Sequence, residues 1–221
     1  MLPEMKRLKR TFAVLFLGFA LATGTVLAHP HVFIDSRVTF QFNEHEMEGF
    51  WVEWHFDPLF TSMIVMDFGA SWEGFLSPNV VRAIREGAFS NLRNYDYFLY
   101  VLETDGVHPV REVERFDAFM RDRRVVYRFF VPFRRPLDAR TRTLRIRMYD
   151  DTFFTDIAFE EDSPISVESP VALEQEFLIQ QNRNVKIQYD NRDQAVRRDD
   201  AVYTGLTHPW EAHFQYRHGE R

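Results

Sequence analysis

The chain has 221 residues, 45% hydrophobic, 27% charged and 16% aromatic, with no cysteine. That excludes disulfide-stapled mini-proteins, thiolate zinc fingers, iron–sulfur proteins and cysteine nucleophiles, while 23 phenylalanines argue for a packed core rather than disorder. A formal net charge of −6 offers no general attraction to nucleic acid or to an anionic membrane.

The N-terminus opens with Lys6, Arg7, Lys9 and Arg10 against the single acid Glu4. An apolar stretch over residues 11–22 follows, then Thr23-Gly24-Thr25 and the small-residue ending Val26-Leu27-Ala28. A basic region, an apolar region and a small-residue cleavage site make residues 1–28 a secretory signal peptide, cut after Ala28. The alternative is an uncleaved anchor, since residues 11–28 approach spanning length. The Thr-Gly-Thr break and the terminal Ala28 favour cleavage. In an exported protein without cysteine, stability rests on the core alone.

Residues 32–42 read as a strand, Asn43-Glu44-His45-Glu46 as a polar turn and residues 47–56 as a second strand, together a hairpin. Asp57-Pro58 is a helix start, a capping carboxylate before a proline at the first helical position. Ser77-Pro78 repeats it, and Val80, Val81, Ile84, Ala88 and Leu92 supply the apolar stripe of a second helix. Strand composition then recurs over residues 97–103, 111–119, 125–133, 143–149 and 153–159, with a weaker extended stretch over 175–189. The expectation is an α+β fold: a β-rich, sandwich-like domain over residues 29–189 with a helical pair at about 58–93 inserted after the first hairpin. Residues 190–221 are polar and read as a loose C-terminal tail.

Cleavage after Ala28 exposes His29-Pro30-His31-Val32-Phe33-Ile34-Asp35. An N-terminal histidine offers two nitrogen ligands, and an α-amine pKa of about 7.7–8.0 lets a metal displace its proton near neutrality. On an extended strand His29, His31, Phe33 and Asp35 share one face, with neighbours about 6.6 Å apart. Pro30 has no N–H, which blocks the square-planar arrangement built on deprotonated amides of residues two and three. Imidazole and amine chelation completed from elsewhere remains, suiting zinc, nickel, cobalt or copper. A solvated, ligand-free terminus is the alternative.

His55 is the third nitrogen candidate, on one face with Trp51, Glu53 and Asp57; the plainer reading is a sheet histidine held by hydrogen bonds. His45 reads as a solvated turn residue. His208, His213 and His218 recur every five residues, which aligns no helix face, and fall in the expected tail. No Gly-x-Ser-x-Gly elbow, no phosphate-binding glycine loop and no distinct acid/base pair is present, so the chain does not read as an enzyme. A copper histidine brace on His29 is the one catalytic alternative.

Three stretches carry a family resemblance: residues 29–35, Trp54-His55-Phe56-Asp57, and Tyr149-Asp150-Asp151-Thr152-Phe153-Phe154-Thr155-Asp156. Over residues 29–159 the chain resembles exported bacterial proteins of unknown function described as the periplasmic component of an uncharacterised ABC-type transport system. Such proteins accompany nickel/cobalt-type permeases. The resemblance implies a periplasmic accessory protein that hands a divalent transition metal, zinc above all, to an inner-membrane permease, without itself spanning the membrane; a metal-free structural adaptor of the permease is the alternative. It also adds Asp150 and Asp156 as candidate ligands or orienting groups, with turn-forming aspartate as the alternative. The family's calcium-type loop is degenerate here, with Gly69 and Ser71 at the first and third ligand positions and Val80 at the twelfth. Without the bidentate acid no calcium is expected.

Overall fold

The computed structural model describes residues 30–72, 75–190 and 204–219. The expected signal peptide, His29 and part of the degenerate calcium-type loop lie outside them. Among the described residues no helix is long and apolar enough to cross a membrane.

Strand β1 (Val32–Phe42) alternates without a break. Val32, Ile34, Ser36, Val38, Phe40 and Phe42 are buried, and the residues between them point the other way. Strand β2 (Glu46–Phe56) pairs with it antiparallel, setting Asp35 opposite His55 and Arg37 opposite Glu53. Asn43 fixes the turn by accepting the backbone N–H groups of His45 and Glu46. His45 is exposed there, as its composition suggests.

Helix α1 (Pro58–Phe68) starts where Asp57 Oδ1 accepts the N–H groups of Leu59 and Phe60 at 2.7 and 2.9 Å. It ends on Gly69, left-handed at φ 63°, a conformation that costs a glycine no Cβ clash. Helix α2 (Pro78–Gly87) is capped by Ser77, whose hydroxyl accepts from Val80 N–H. A 3-10 run over Phe89–Phe98 follows, and Asp96, Tyr97 and Phe98 all take positive φ at its end. The helical pair after the first hairpin is therefore present.

The remaining strands are β3 (Leu99–Glu103), β4 (Gly106–Pro109), β5 (Glu114–Arg121), β6 (Arg124–Pro136), β7 (Arg142–Met148), β8 (Thr155–Phe159), β9 (Ile165–Glu168), β10 (Leu173–Gln181), β11 (Ile187–Asp190), β12 (Thr204–Thr207) and β13 (Trp210–His218). One sheet runs β5-β6-β2-β1-β8, with β9 also on β1, and both β8 and β9 run parallel to β1. The second runs β10-β13-β7-β3-β4, and β11 pairs with β12. The fold is thus β-rich and mixed α+β.

Several boundaries differ from the sequence reading. Residues 97 and 98 belong to the 3-10 run, β4 precedes the strand expected at 111–119, and the extended stretch at 175–189 divides into β10 and β11. The larger correction concerns residues 190–221, which are not simply a loose tail. Residues 210–218 form β13, an interior strand hydrogen-bonded to β10 and β7. Ala212, Phe214 and Tyr216 alternate inward, and the Phe214 ring stacks on Phe40 of the facing sheet with centroids 4.0 Å apart. Tyr216 meets Phe42 edge-on at 5.0 Å. These contacts form the seam between the sheets. Replacing Phe214 with alanine should therefore cost about 3–5 kcal/mol in urea unfolding, as for a fully buried aromatic. A loss within about 0.5 kcal/mol, the surface-residue norm, would remove β13 from the core.

Candidate metal centre

The alternation of β1 that buries its apolar residues places His31, Phe33, Asp35 and Arg37 on the opposite face. Parallel pairing of β8 sets Phe33 beside Asp156 and Asp35 beside Ala158. The His31 ring packs on that of Phe154, centroids 4.9 Å apart, two residues before Asp156. His31, Asp35 and Asp156 thus lie on adjoining strands near the start of β1, but their ligand atoms do not converge within 4.8 Å of one another, as those of one other trio among the described residues do. On the other side of β1, His55 lies opposite Asp35.

Within this region the side chains sort into two groups. His55, although on the outward face, is only 4% exposed, with Nδ1 3.2 Å from Glu160 Oε1 and Nε2 3.4 Å from Glu53 Oε2. Glu160 is also paired with Arg37, and Glu53 with Arg121 at 2.6 Å and Arg128 at 3.6 Å. Burial pushes the Glu53 carboxyl up, but hydrogen bonds from His55 and Arg121 and their charges outweigh it and hold the group down at about 2. Each ring nitrogen of His55 faces a carboxylate, and each carboxylate already has a guanidinium. A metal on His55 would have to displace one of these partners.

Asp35 is bound by Arg124 at 2.8 Å, and Arg124 also donates to the carbonyls of His55 and Phe56. Asp156 stands apart. Burial and the charge of Asp35 both push its carboxyl up, and among the described residues no cation is paired with it. Its side chain is half-buried beside Asp35.

Two other acids serve the backbone. Asp57 caps α1 and its second oxygen accepts Phe33 N–H at 2.9 Å, clamping the helix start to β1. Asp150, 4% exposed, accepts the Thr152 N–H and hydroxyl on one oxygen and Thr155 N–H on the other. Its carboxylate organises the turn into β8, the alternative the sequence had left open. His208 bonds the Val185 carbonyl through Nδ1, and His213 lies 3.3 Å from the buried Glu211, which also pairs with Arg147. These two histidines therefore belong to the second sheet and its flank.

A profile described as "Protein of unknown function (DUF1007)" matches residues 14–205. The chain belongs to the DUF1007 family. A relative from Spirochaeta aurantia, an uncharacterised 15.5 kDa protein in the trpE 3′ region, is 36% identical over 104 residues, covering 47% of this chain and 74% of its own. An uncharacterised protein of Haemophilus influenzae is 24% identical over 181 residues, covering 81% of this chain and 85% of its own. No solved structure matches.

Sequence reasoning missed two features of this DUF1007 chain. Glu160 enters the centre only through the parallel β1–β8 pairing, and nothing local announces it. The second is Glu103, Asp105 and His108, whose ligand atoms lie within 4.8 Å of one another across the β3–β4 hairpin. The Glu103-x-Asp105-x-x-His108 spacing around Asp105-Gly106 could have signalled that cluster. There Arg135 already holds Glu103, and His108 Nε2 donates to Asp105 Oδ1 at 3.0 Å, so the trio is internally satisfied.

The depressed Glu53 carboxyl gives a pH test. Unfolding lets the group return toward 4.5, so its stabilisation is complete above that value and is lost as pH falls toward about 2. Glu53→Gln should flatten the acid limb of the stability–pH curve by up to about 3 kcal/mol. An unchanged limb would mean that Glu53 is not held by its cations.

Proposed function

We propose that this chain is an exported, periplasmic accessory protein that binds a divalent transition metal, zinc first, and passes it to an inner-membrane permease of the nickel/cobalt type. The observation that carries this reading is the uncompensated Asp156 carboxylate beside Asp35, on the same face of the sheet as His31. A cation there relieves the repulsion between two acids and gains an imidazole nitrogen. His29, preceding the described residues, would add its imidazole and α-amine once the leader is removed. Borderline nitrogen donors with carboxylate oxygens suit zinc rather than calcium. Exchange is favoured because His31 is exposed at the beginning of a strand, so the ion need not pass through the core.

His55 has a different place in this reading. With Glu53, Glu160 and their arginines it forms the rigid floor that fixes Asp35 on Arg124, and it is not assigned as a first ligand. The permease partner is supported by the resemblance carried by residues 29–35, 54–57 and 149–156.

Zinc titration of protein beginning at His29 tests the proposal. One site is expected, weakened at least about tenfold by His31→Ala or Asp156→Asn, with His55→Ala having a smaller effect. Asp156→Asn should also raise metal-free stability above pH 4, because it removes a carboxyl whose ionised form the fold disfavours relative to the ordinary value of 3.8. Lost zinc affinity with unchanged or improved stability separates a ligand from a structural group. Absence of zinc binding, or affinity indifferent to both substitutions, would overturn the reading.

A further inference from the structure

The outer strands of the sheets are not alike. Among the described residues, β4, β8, β9, β11 and β12 are four or five residues long, and β5 is broken by a register shift between Glu114 and Asp117, with Arg115 left-handed at φ 51°. Short strands and bulges are the usual protections of an exposed edge. Strand β10 has neither. Its nine residues pair with β13 without a shift, and no described strand pairs with its other side. Its sequence, Leu-Glu-Gln-Glu-Phe-Leu-Ile-Gln-Gln, holds no proline, lysine or arginine. A row of backbone N–H and C=O groups is thereby left open along a long, regular strand.

Phe177 lies opposite Phe214, whose ring is in the seam, so the two share the inward face of the second sheet. Phe214 is wholly covered, whereas Phe177 is 53% exposed. The first sheet does not reach over it. A groove lined by Phe177 and Trp210 of the second sheet, and by Phe159, Glu161 and Pro164 at the edge of the first, marks the opening. Leu178, on the outward face, is 55% exposed. Apolar surface is thus left on both faces at the middle of the open strand.

The positions of the two acids decide what this edge accepts. Outward N–H and C=O groups fall on alternate residues, so two copies of β10 can pair antiparallel only about a twofold axis through a residue. With the axis at Glu176 that residue meets itself, and with the axis at Gln175 Glu174 meets Glu176; like charges directly opposite are unfavourable. With the axis at Phe177, Glu174 meets Gln180, Glu176 meets Leu178, and the whole strand is paired. An axis at Leu178 leaves Leu173 and Glu174 beyond the partner strand.

We propose that a second copy of this chain occupies the edge, β10 pairing with β10 about Phe177 and joining two five-stranded sheets into one of ten strands. The two Phe177 side chains then lie side by side on the inward face and cover each other's exposed surface. A single strand pair makes a small interface, of the exchanging class. It uses none of His31, Asp35 or Asp156, so its test stands apart from that of the metal site.

Sedimentation velocity on metal-free protein beginning at His29 should show a reversible monomer–dimer equilibrium in the micromolar range. Phe177→Glu sets two carboxylates opposite each other at the axis and should weaken the dimer at least about tenfold. Because the chain has no cysteine, Phe177→Cys introduces a single thiol. In the dimer the two Cα atoms of residue 177 are about 4.5–5.5 Å apart, within disulfide range, whereas those of residue 174 are about 20 Å apart. Mild oxidation should therefore convert the Phe177→Cys protein to a covalent dimer and leave the Glu174→Cys protein monomeric. This pair keeps the proposal falsifiable should Phe177→Glu fail to fold. Protein that stays monomeric overturns the proposal and leaves the edge to a strand of another protein. Equal cross-linking at the two positions, or a dimer indifferent to Phe177→Glu, overturns it as well, since the copies would then meet elsewhere.

Discussion

Strand β1 is hydrogen-bonded along both edges, antiparallel to β2 and parallel to β8 and β9, and its two faces are chemically opposite. This alternation governs what the molecule can offer. A shift of one residue in its register would send Phe40 and Phe42 to solvent and bring Asp35 and Arg37 into the seam between the sheets. The aromatic contacts of Phe40 with Phe214 and of Phe42 with Tyr216 hold the register from inside. The Asp57 carboxylate holds it at the start of the strand through Phe33 N–H.

On the outward face that register creates a contrast between saturated and unsaturated charge. Around His55 the carboxylates of Glu53 and Glu160 are ion-paired with the guanidiniums of Arg37, Arg121 and Arg128, although Arg128 Nε, 3.6 Å from Glu53, makes no hydrogen bond. Arg128 also lies over the Trp51 ring, 4.1 Å from its centroid, and Arg115 at 4.6 Å. Such packing of arginine on aromatic surface limits the freedom of the network and shields it from water. A few residues away, Asp156 has no such partner. The core repeats the contrast in neutral form, with tight aromatic packing around three buried donors, on Trp54, Tyr127 and Tyr216, that have no hydrogen-bond partner among the described residues.

Much of the fold was legible in local sequence. The first hairpin follows from period-two alternation across Asn43-Glu44-His45-Glu46, and both helix starts follow from Asp57-Pro58 and Ser77-Pro78, because caps and turns are decided within a few residues. Strand β13 was not legible. Ala212, Phe214 and Tyr216 alternate correctly, but Glu211, His213 and Arg217 between them give the segment the composition of a tail. Only the pairing with β7 shows that Glu211 is buried against Arg147. The candidate site divides in the same way. Residues 29–35 stand out by their chemistry and spacing, whereas Glu160 and the isolation of Asp156 depend on a parallel pairing with residues more than a hundred positions away. Asp150 shows the opposite limit, since a turn-forming and a ligating aspartate look the same until their oxygens are assigned.

The place of β13 in chain order carries a consequence for how the molecule assembles. An interior strand of the second sheet comes from residues 210–218, flanked on one side by β10 and on the other by β7. Until those residues arrive, β7 and β10 have no ladder to share and the Phe40 ring has no stacking partner. The long-range closure that joins the two sheets thus waits for β13, after every other strand of either sheet. Such non-local topologies collapse slowly and leave strand edges open meanwhile. A chain lacking β13 would present those edges to other proteins and would uncover the inward face of β1 at Phe40 and Phe42.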